Sequence, residues 1–220
     1  MQEVALPAKI MIVGDMWSSD DEQAGQPFSG SLGHILNGIL RQVSLSPKDI
    51  YLTNVFNQRP TNGRLEFFCG DKETAIPNYR PLLVKPDRFV RQEFHYELER
   101  LYSEILLFQP NVIVALGNTA LWALCKKSGI KKYRGSPLHT FDLSSEVDTT
   151  EPDSVFKVIP TWHPSSIMRQ WTLRPIVCMD FAKVRRESTF PELRRPSHKL
   201  YLRPDIQHMK VFYHTFMVCQ

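Results

Sequence analysis

The sequence predicts an α/β fold in three layers, α/β/α, with a central four-stranded, mainly parallel sheet. Short apolar segments rich in Val and Ile alternate with segments of helical periodicity, and the order strand, helix is repeated four times. Alternation of this kind is typical of a parallel sheet with helices on both faces. The apolar segments are hydrophobic on both of their faces, as strands that are buried from two sides require.

Each element of the predicted fold has its own signal. Apolar, β-branched runs predict strands at residues 9–13, 49–55, 110–116 and 155–159. Apolar residues at helical spacing predict helices at residues 32–40, 89–108, 120–127 and 174–187. Ser31 can cap the first of these helices. Residues 15–30 are interpreted as a polar loop, while residues 57–90 and 131–153 have no clear period.

Composition narrows the class of protein. Of the 220 residues, 42% are apolar and 23% are charged, which is ordinary for a globular domain. No apolar run approaches the roughly 20 residues of a membrane span, and the first residues lack the pattern of a signal peptide. We therefore expect a cytoplasmic protein with no membrane partner.

Cysteine usage and charge add two further expectations. The four cysteines are far apart and form no CxxC pair, so we expect reduced thiols and neither a disulfide framework nor a metal site. The net charge of +4 permits a polyanionic partner without requiring one. Basic residues are concentrated near residues 126–134 and 185–199, where they are either solvated surface or phosphate contacts.

Polar residues stand at the ends of all four predicted strands. Asp15 follows the first strand, Asn54 ends the second, Gly117-Asn118 follows the third, and His163 follows the fourth. The carboxyl ends of parallel strands lie along one edge of a sheet, where ligands bind in α/β proteins. The pattern therefore predicts a cleft that contains a carboxylate, an amide, an imidazole and the start of a helix.

Four motifs at these strand ends resemble the uracil-DNA glycosylase superfamily, and above all its family-four type and phage relatives associated with DNA polymerases. The matching segments are residues 14–30, with Gly25-Gln26-Pro27-Phe28-Ser29-Gly30; Thr53-Asn54-Val55 with Arg59-Pro60; residues 114–120; and residues 160–169, with His163-Pro164-Ser165. The resemblance covers about residues 8–188. Each motif alone is weak, but their order and their places at strand ends are specific.

The resemblance implies a monofunctional DNA glycosylase that removes uracil after flipping it out of the helix. It implies that Phe28 stacks on the flipped base, that Asn54 reads the edge of uracil, and that Gly14 and Met16 line the base pocket. It also implies that His163 hydrogen-bonds O2 of the base and stabilises the departing anion.

Asp15 is the implied catalytic carboxylate, although the family usually has a longer Glu at this position. It can orient a water molecule or stabilise the cationic sugar, and Asp21 is the reserve carboxylate. Met16 and Trp17 replace a small turn of the family. Trp17 either narrows the pocket against the methyl group of thymine or obstructs uracil itself.

The last motif implies the DNA contacts. Ser165 is expected to contact phosphate, Ile167 or Met168 to fill the space that the base vacates, and Arg169 to lie on the same DNA-binding segment. For Ile167 and Met168, simple packing of a helix is the alternative.

Family-four enzymes hold an iron–sulfur cluster on four cysteines, and this chain departs from that pattern. Two of the ligand positions hold Gln58 and Glu97, and the remaining cysteines do not realign to replace them. We therefore expect no cofactor.

Residues 1–188 are predicted to form the glycosylase-like domain, and residues 189–220 a basic linker and C-terminal appendage that can bind a replication protein. The partner of the domain itself is expected to be uracil-containing DNA, single- or double-stranded. Two alternatives stay open: a catalytically inactive DNA-binding or replisome-interaction module on the same fold, and a glycosylase for another deaminated base, such as hypoxanthine or xanthine.

Overall fold

A computed structural model describes residues 9–71, 89–141 and 155–194, together with residue 206. The strands are β1 (Ile10–Met16), β2 (Ile50–Phe56), β3 (Cys69–Gly70), β4 (Phe89–Val90), β5 (Val112–Leu116), β6 (Leu138–His139) and β7 (Lys157–Thr161). The helices are α1 (Ser19–Ala24), α2 (Ser31–Gln42), α3 (His95–Phe108), α4 (Gly117–Cys125), α5 (Ile130–Tyr133), α6 (Pro164–Arg169) and α7 (Arg174–Glu187).

The main sheet has the strand order β2-β1-β5-β7-β6. The first four strands are parallel and are the four that the sequence predicts. The fifth, β6, lies in a segment without periodicity and pairs antiparallel with β7, with Leu138 opposite Val158. The predicted three-layer fold is thus confirmed, and its sheet gains one short edge strand.

Alternation along the strands builds the two outer layers. Met11 and Val13 of β1 belong to the core formed with α3 and α4. Ile10 and Ile12 of the same strand belong to the core formed with α2 and α7. Because successive side chains of a strand point to opposite faces, one apolar run buries both faces of the sheet.

Helix α1 corrects the prediction that residues 15–30 form only a loop. Ser18 caps the helix, and Asp21 completes a capping box with it. Gly25 ends the helix in the left-handed region, with φ 65°.

In the described part of the chain, no helix is long and apolar enough to cross a membrane.

The end of the described domain is attached to the sheet by Lys157, the first residue of β7. Its side chain is fully buried, and Nζ donates to the backbone carbonyls of Glu187, Phe190 and Glu192. Nζ also pairs with the carboxylate of Glu187 at 3.2 Å. The chain therefore packs on the domain as far as Glu192. Residues 195–205 and 207–220 of the predicted appendage lie outside the described residues.

Candidate active site

Asp15 and His163 line one cavity of about 290 Å³ at the carboxyl ends of the parallel strands. Asp15 is contributed by β1 and His163 by the turn after β7, and the start of α4 lies between them. The cavity is also lined by Gly117, Asn118, Thr119, Ile130, Trp162, Ser165, Ser166 and Arg169. The sequence-predicted carboxylate and imidazole therefore share one cleft.

Gly117 makes this approach possible. Its backbone has φ 86°, a conformation that favours glycine. A Cβ atom there would lie 3.3 Å from Cβ of His163 and 3.5 Å from Oδ1 of Asp15. A side chain at this position would therefore crowd both residues.

The carboxylate of Asp15 has one oxygen without a hydrogen bond. Its Oδ1 atom is shielded from solvent and has no hydrogen-bond partner. Burial raises the pKa of Asp15, while the charge of His163 and the nearby Thr119 hydroxyl oppose that rise. A carboxylate with a raised pKa is a better base, and its vacant oxygen can accept a proton or a hydrogen bond from water.

His163 has a fixed orientation because it caps helix α6. Its Nδ1 atom accepts the backbone N–H of Ser165 at 3.3 Å and lies 2.9 Å from the Ser165 hydroxyl. A nitrogen that accepts a backbone N–H carries no proton, so in the neutral ring the proton is on Nε2. His163 is therefore prepared to donate one hydrogen bond from Nε2.

Phe28 and Asn54 lie on either side of Gly14. A Cβ atom on Gly14 would be 2.2 Å from Oδ1 of Asn54 and 2.6 Å from Cζ of Phe28. In the register of the sheet, Gly14 is opposite Asn54. The ring centroids of Phe28 and His163 are 6.4 Å apart, but Gly14, Phe28 and Asn54 do not line the Asp15 cavity, and Phe28 lines a separate cavity next to α2.

The backbone of Phe28 is strained, since this non-glycine residue has φ 58°. The carbonyl of Phe28 is also packed against Gly33 of α2, where a Cβ atom would be only 1.7 Å away. Strained residues of this kind are concentrated at binding sites. The strain is consistent with a ring that is held in place for stacking.

Asn54 is only 2% exposed, and its Nδ2 atom is buried without a hydrogen-bond partner. Its backbone is well held, because its N–H donates to Oδ1 of Asn57 and its carbonyl accepts from Arg100. A fixed backbone with an unused amide donor is suited to read a ligand.

Asp21 does not line the cavity that holds Asp15, and its reserve role stays a prediction. One oxygen of its carboxylate accepts from both the N–H and the hydroxyl of Ser18, and the other accepts the N–H of Ser29 at 2.7 Å. Both oxygens are thus engaged in fixing α1 and the loop that carries Phe28. Asp15 is left as the carboxylate of the cleft.

Met16 and Trp17 are both partly buried. Met16 packs against the core on the α3 and α4 side of the sheet. The indole nitrogen of Trp17 donates to Oδ1 of Asn57 at 3.2 Å, the atom that also accepts the N–H of Asn54. Trp17 is therefore tied to the backbone support of Asn54. Neither residue lines the cavity between Asp15 and His163.

Helix α6 divides its residues between core and surface. Ile167 is fully buried, so packing in the core accounts for it and it is not available to enter DNA. Met168 is 55% exposed, and Arg169 is exposed and lines the cavity. Just beyond the helix, Trp171 is 64% exposed, with the guanidinium of Arg174 5.4 Å from its ring centroid.

Three residues of the site were not predicted from the sequence: Thr119, Asn57 and Trp171. Thr119 lies in the first turn of α4, two residues after the strand-end Gly117, which is a usable signal. Asn57 and Trp171 occupy an irregular segment and a short 3₁₀ turn, where periodicity provides no signal.

The described residues do not fit an iron–sulfur cluster. No group of three or more His, Cys, Asp and Glu side chains among them could hold a metal ion. Of the two expected ligand positions, Gln58 donates to the Tyr96 hydroxyl, and Glu97 accepts from Arg100 and from the N–H of Asn57. The lack of a cofactor stays a prediction, and an iron assay tests it.

Residues 1–187 match the Uracil DNA glycosylase superfamily. The chain is 30% identical to the Type-4 uracil-DNA glycosylase of Thermotoga maritima over 184 residues, which cover 82% of this chain and 78% of that protein. It is 27% identical to the Type-4 uracil-DNA glycosylase of Sulfurisphaera tokodaii, with 84% of this chain and 72% of that protein covered. It is also 27% identical to that of Archaeoglobus fulgidus, with 80% and 75% covered.

Proposed function

Since the chain belongs to the uracil-DNA glycosylase superfamily, we propose that it hydrolyses the N-glycosidic bond of uracil in DNA and so begins base excision repair. The bond between C1′ of the sugar and N1 of the base breaks, and its electron pair leaves with uracil. Water supplies a hydroxyl group to C1′ and a proton to the site. The products are free uracil and an abasic site.

One observation carries the proposal: two buried polar atoms without partners, Oδ1 of Asp15 and Nδ2 of Asn54, lie at the carboxyl ends of the adjacent strands β1 and β2. Buried polar groups are normally hydrogen-bonded, and each exception needs an explanation. An acceptor for water at one place and an amide donor at the other are what uracil excision requires. A ligand would satisfy both atoms.

Recognition of the base falls to Asn54 and Phe28. The Nδ2 atom of Asn54 can donate to O4 of uracil, and its Oδ1 atom can accept N3–H. Phe28 offers its ring to the face of the base, and Gly14, which has no side chain, leaves room for both Phe28 and Asn54. An amide in this position discriminates against cytosine, whose edge presents a donor at C4 and an acceptor at N3.

Charge stabilisation falls to Asp15 and His163. As the bond breaks, negative charge develops on O2 of uracil, where Nε2–H of His163 can donate to it. Positive charge develops on the sugar, and the Asp15 carboxylate stabilises it. The same carboxylate accepts the proton of the attacking water, which its raised pKa favours. Gly117 permits both groups to act in the same cavity.

DNA is held by helix α6 and the turn after it. The exposed Met168 can fill the stack that the flipped base vacates, while Ser165 and Arg169, which line the cavity, can contact phosphates. Trp171, with Arg174 against its ring, adds an aromatic face for a neighbouring base. These contacts belong to the same surface as the entrance to the cavity.

The full-length protein should be incubated with oligonucleotides that carry uracil opposite G, uracil opposite A, uracil in a single strand, or hypoxanthine. Alkali then cleaves each abasic site, and the fragments are separated by size. We expect product from uracil substrates, and we expect it to be lost in Asn54→Ala and His163→Ala. Product from hypoxanthine alone would instead favour the glycosylase for another base.

Absence of product from every substrate, together with salt-sensitive DNA binding, would refute the enzyme in favour of the inactive DNA-binding module. The replication-protein partner of residues 189–220 is a separate proposal that rests on the basic character of that segment. It requires that deletion of residues 195–220 abolish co-purification with a replication protein and leave uracil release intact.

A further inference from the structure

A network of buried and partly buried polar side chains supports the strand end that carries Asn54. Its centre is Arg100 of α3, whose three nitrogens make five hydrogen bonds. The acceptors are Glu97 Oε2 at 2.9 Å, Thr53 Oγ1 at 3.2 Å, Glu104 Oε1 at 2.7 Å, and the backbone carbonyls of Asn54 at 2.8 Å and Val55 at 3.2 Å. The guanidinium therefore joins helix α3 to the carboxyl end of β2.

Asn57 connects the same network to the other side of Asn54. Its backbone N–H donates to Glu97 at 3.0 Å, and its Nδ2 atom donates to Thr53 at 3.2 Å. Its Oδ1 atom accepts the backbone N–H of Asn54 and the indole N–H of Trp17. The backbone N–H and the backbone C=O of Asn54 are thus both fixed by side chains of this network.

The composition of the network is unfavourable for stability alone. It sets two carboxylates against one guanidinium, and the side chain of Glu97 is only 5% exposed. Burying charges carries a desolvation cost, and well-packed apolar residues of similar volume often give a fold at least as stable. What such a network provides is a single, rigid arrangement of the groups that it bonds.

We infer that the Arg100–Glu97–Asn57 network is a positioning device that fixes Asn54 for reading uracil. The inference rests on the proposed function. Glu97 and Gln58 occupy two of the expected ligand positions, and here the protein joins the same segments through hydrogen bonds. Arg100, Glu97 and Asn57 act through Asn54 and do not touch the base themselves.

Arg100→Lys is the most informative variant. It retains the positive charge between the two carboxylates but loses the planar fork that reaches the carbonyls of Asn54 and Val55. We expect kcat/KM on a uracil oligonucleotide to fall about 100-fold, the effect of small misplacements in active sites. We also expect weaker inhibition by free uracil, with unchanged affinity for an oligonucleotide that lacks uracil.

Glu187→Gln is the matched control. Glu187 is a buried carboxylate paired with Lys157, at the opposite end of β7 from His163. This variant should lower the melting temperature without changing kcat/KM or inhibition by uracil. An equal loss of kcat/KM in both variants would show that the network only stabilises the fold and would overturn the inference.

Hydrogen–deuterium exchange provides a readout that does not depend on activity. In Arg100→Lys and in Glu97→Gln, the amides of residues 53–57 should exchange faster than in the wild type, while those of β5 should not. Unchanged exchange and unchanged kcat/KM would overturn the inference even if the wild type releases uracil. If the wild type releases no uracil, the proposed function fails, whereas the exchange result still decides whether the network fixes this strand end.

Discussion

Gly14→Ala is the sharpest test of the base pocket, because the whole perturbation is one methyl group. At the position of that group the structure has Oδ1 of Asn54 at 2.2 Å and Cζ of Phe28 at 2.6 Å. Both distances are far below an ordinary van der Waals contact, so the two side chains must move. The backbone of Gly14 lies within β1 and pairs with β2, so it has little freedom to yield.

The expected magnitude follows from what must move. Asn54 is 2% exposed, so its side chain has little space to move into, whereas the partly buried ring of Phe28 lines a cavity into which it can shift. A displacement of about 1 Å in an active site costs about 100-fold in rate. A 100-fold loss of kcat/KM corresponds to about 2.7 kcal/mol of lost transition-state stabilisation. We therefore expect kcat/KM on uracil oligonucleotides to fall at least about 100-fold.

The assay is the alkali-cleavage assay under single-turnover conditions, with thermal unfolding measured on the same samples. Gly38→Ala is the control, because a Cβ atom there meets only one nitrogen of Arg174 at 3.9 Å and Gly38 lies within helix α2. That variant should keep its activity and gain about 0.5–1 kcal/mol of stability. Wild-type kcat/KM in a folded Gly14→Ala protein would refute the assignment of Gly14, Asn54 and Phe28 to the base pocket.

Three further predictions concern the remaining parts of the cleft. Asp15→Asn should abolish uracil release yet raise the melting temperature at neutral pH. Burial raises the pKa of Asp15 in the fold. The contribution of Asp15 to stability is therefore present at low pH and is lost as pH rises through that pKa. Melting curves over a pH series should show the variant's advantage shrinking towards acid, and no advantage at neutral pH would contradict the reasoning. His163→Ala should lower kcat by about 10²–10³-fold, because one donor to the developing anion is lost, and should change DNA affinity little. Single-turnover rates test this. Ile167→Ala should destabilise the fold by about 2–5 kcal/mol, while Met168→Ala should weaken DNA binding and leave the melting temperature unchanged; the reverse pattern would contradict the split between core and surface.

The parts of the site that sequence reasoning reaches are those that follow from strand ends. Asp15, Asn54 and His163 each stand where an apolar run stops, and parallel strands bring such positions to one edge. The hydrogen bonds of Asp21 and the burial of Ile167 cannot be predicted from strand ends. The carboxylate of Asp21 is consumed by local caps, and the burial of Ile167 depends on the rotation of a six-residue helix that is too short to show a period.

The Arg100 network lies beyond what periodicity can predict, for a physical reason. Several of its hydrogen bonds join residues that are far apart in the sequence, such as Thr53 and Glu104, which are 51 positions apart. Polar side chains with this separation carry no pattern, because their partners are chosen by tertiary packing. The short strand β6 is similar, since it is defined by its pairing with β7 and has no apolar run of its own.

The backbone and the side chain of Asn54 differ in their hydrogen bonding, and this difference connects the fold to the proposed chemistry. Its backbone N–H and C=O are both bonded, whereas its side-chain Nδ2 has no partner. Leaving a buried donor unsatisfied costs about 1–3 kcal/mol, and Oδ1 of Asp15, at the end of the adjacent strand, is also buried without a partner. A base and a water molecule that satisfy these atoms would recover that cost only when they are bound in the cleft. The two unpaired atoms therefore lower the stability of the unliganded fold. The gain in stability expected for Asp15→Asn measures the part of this loss that is due to Asp15.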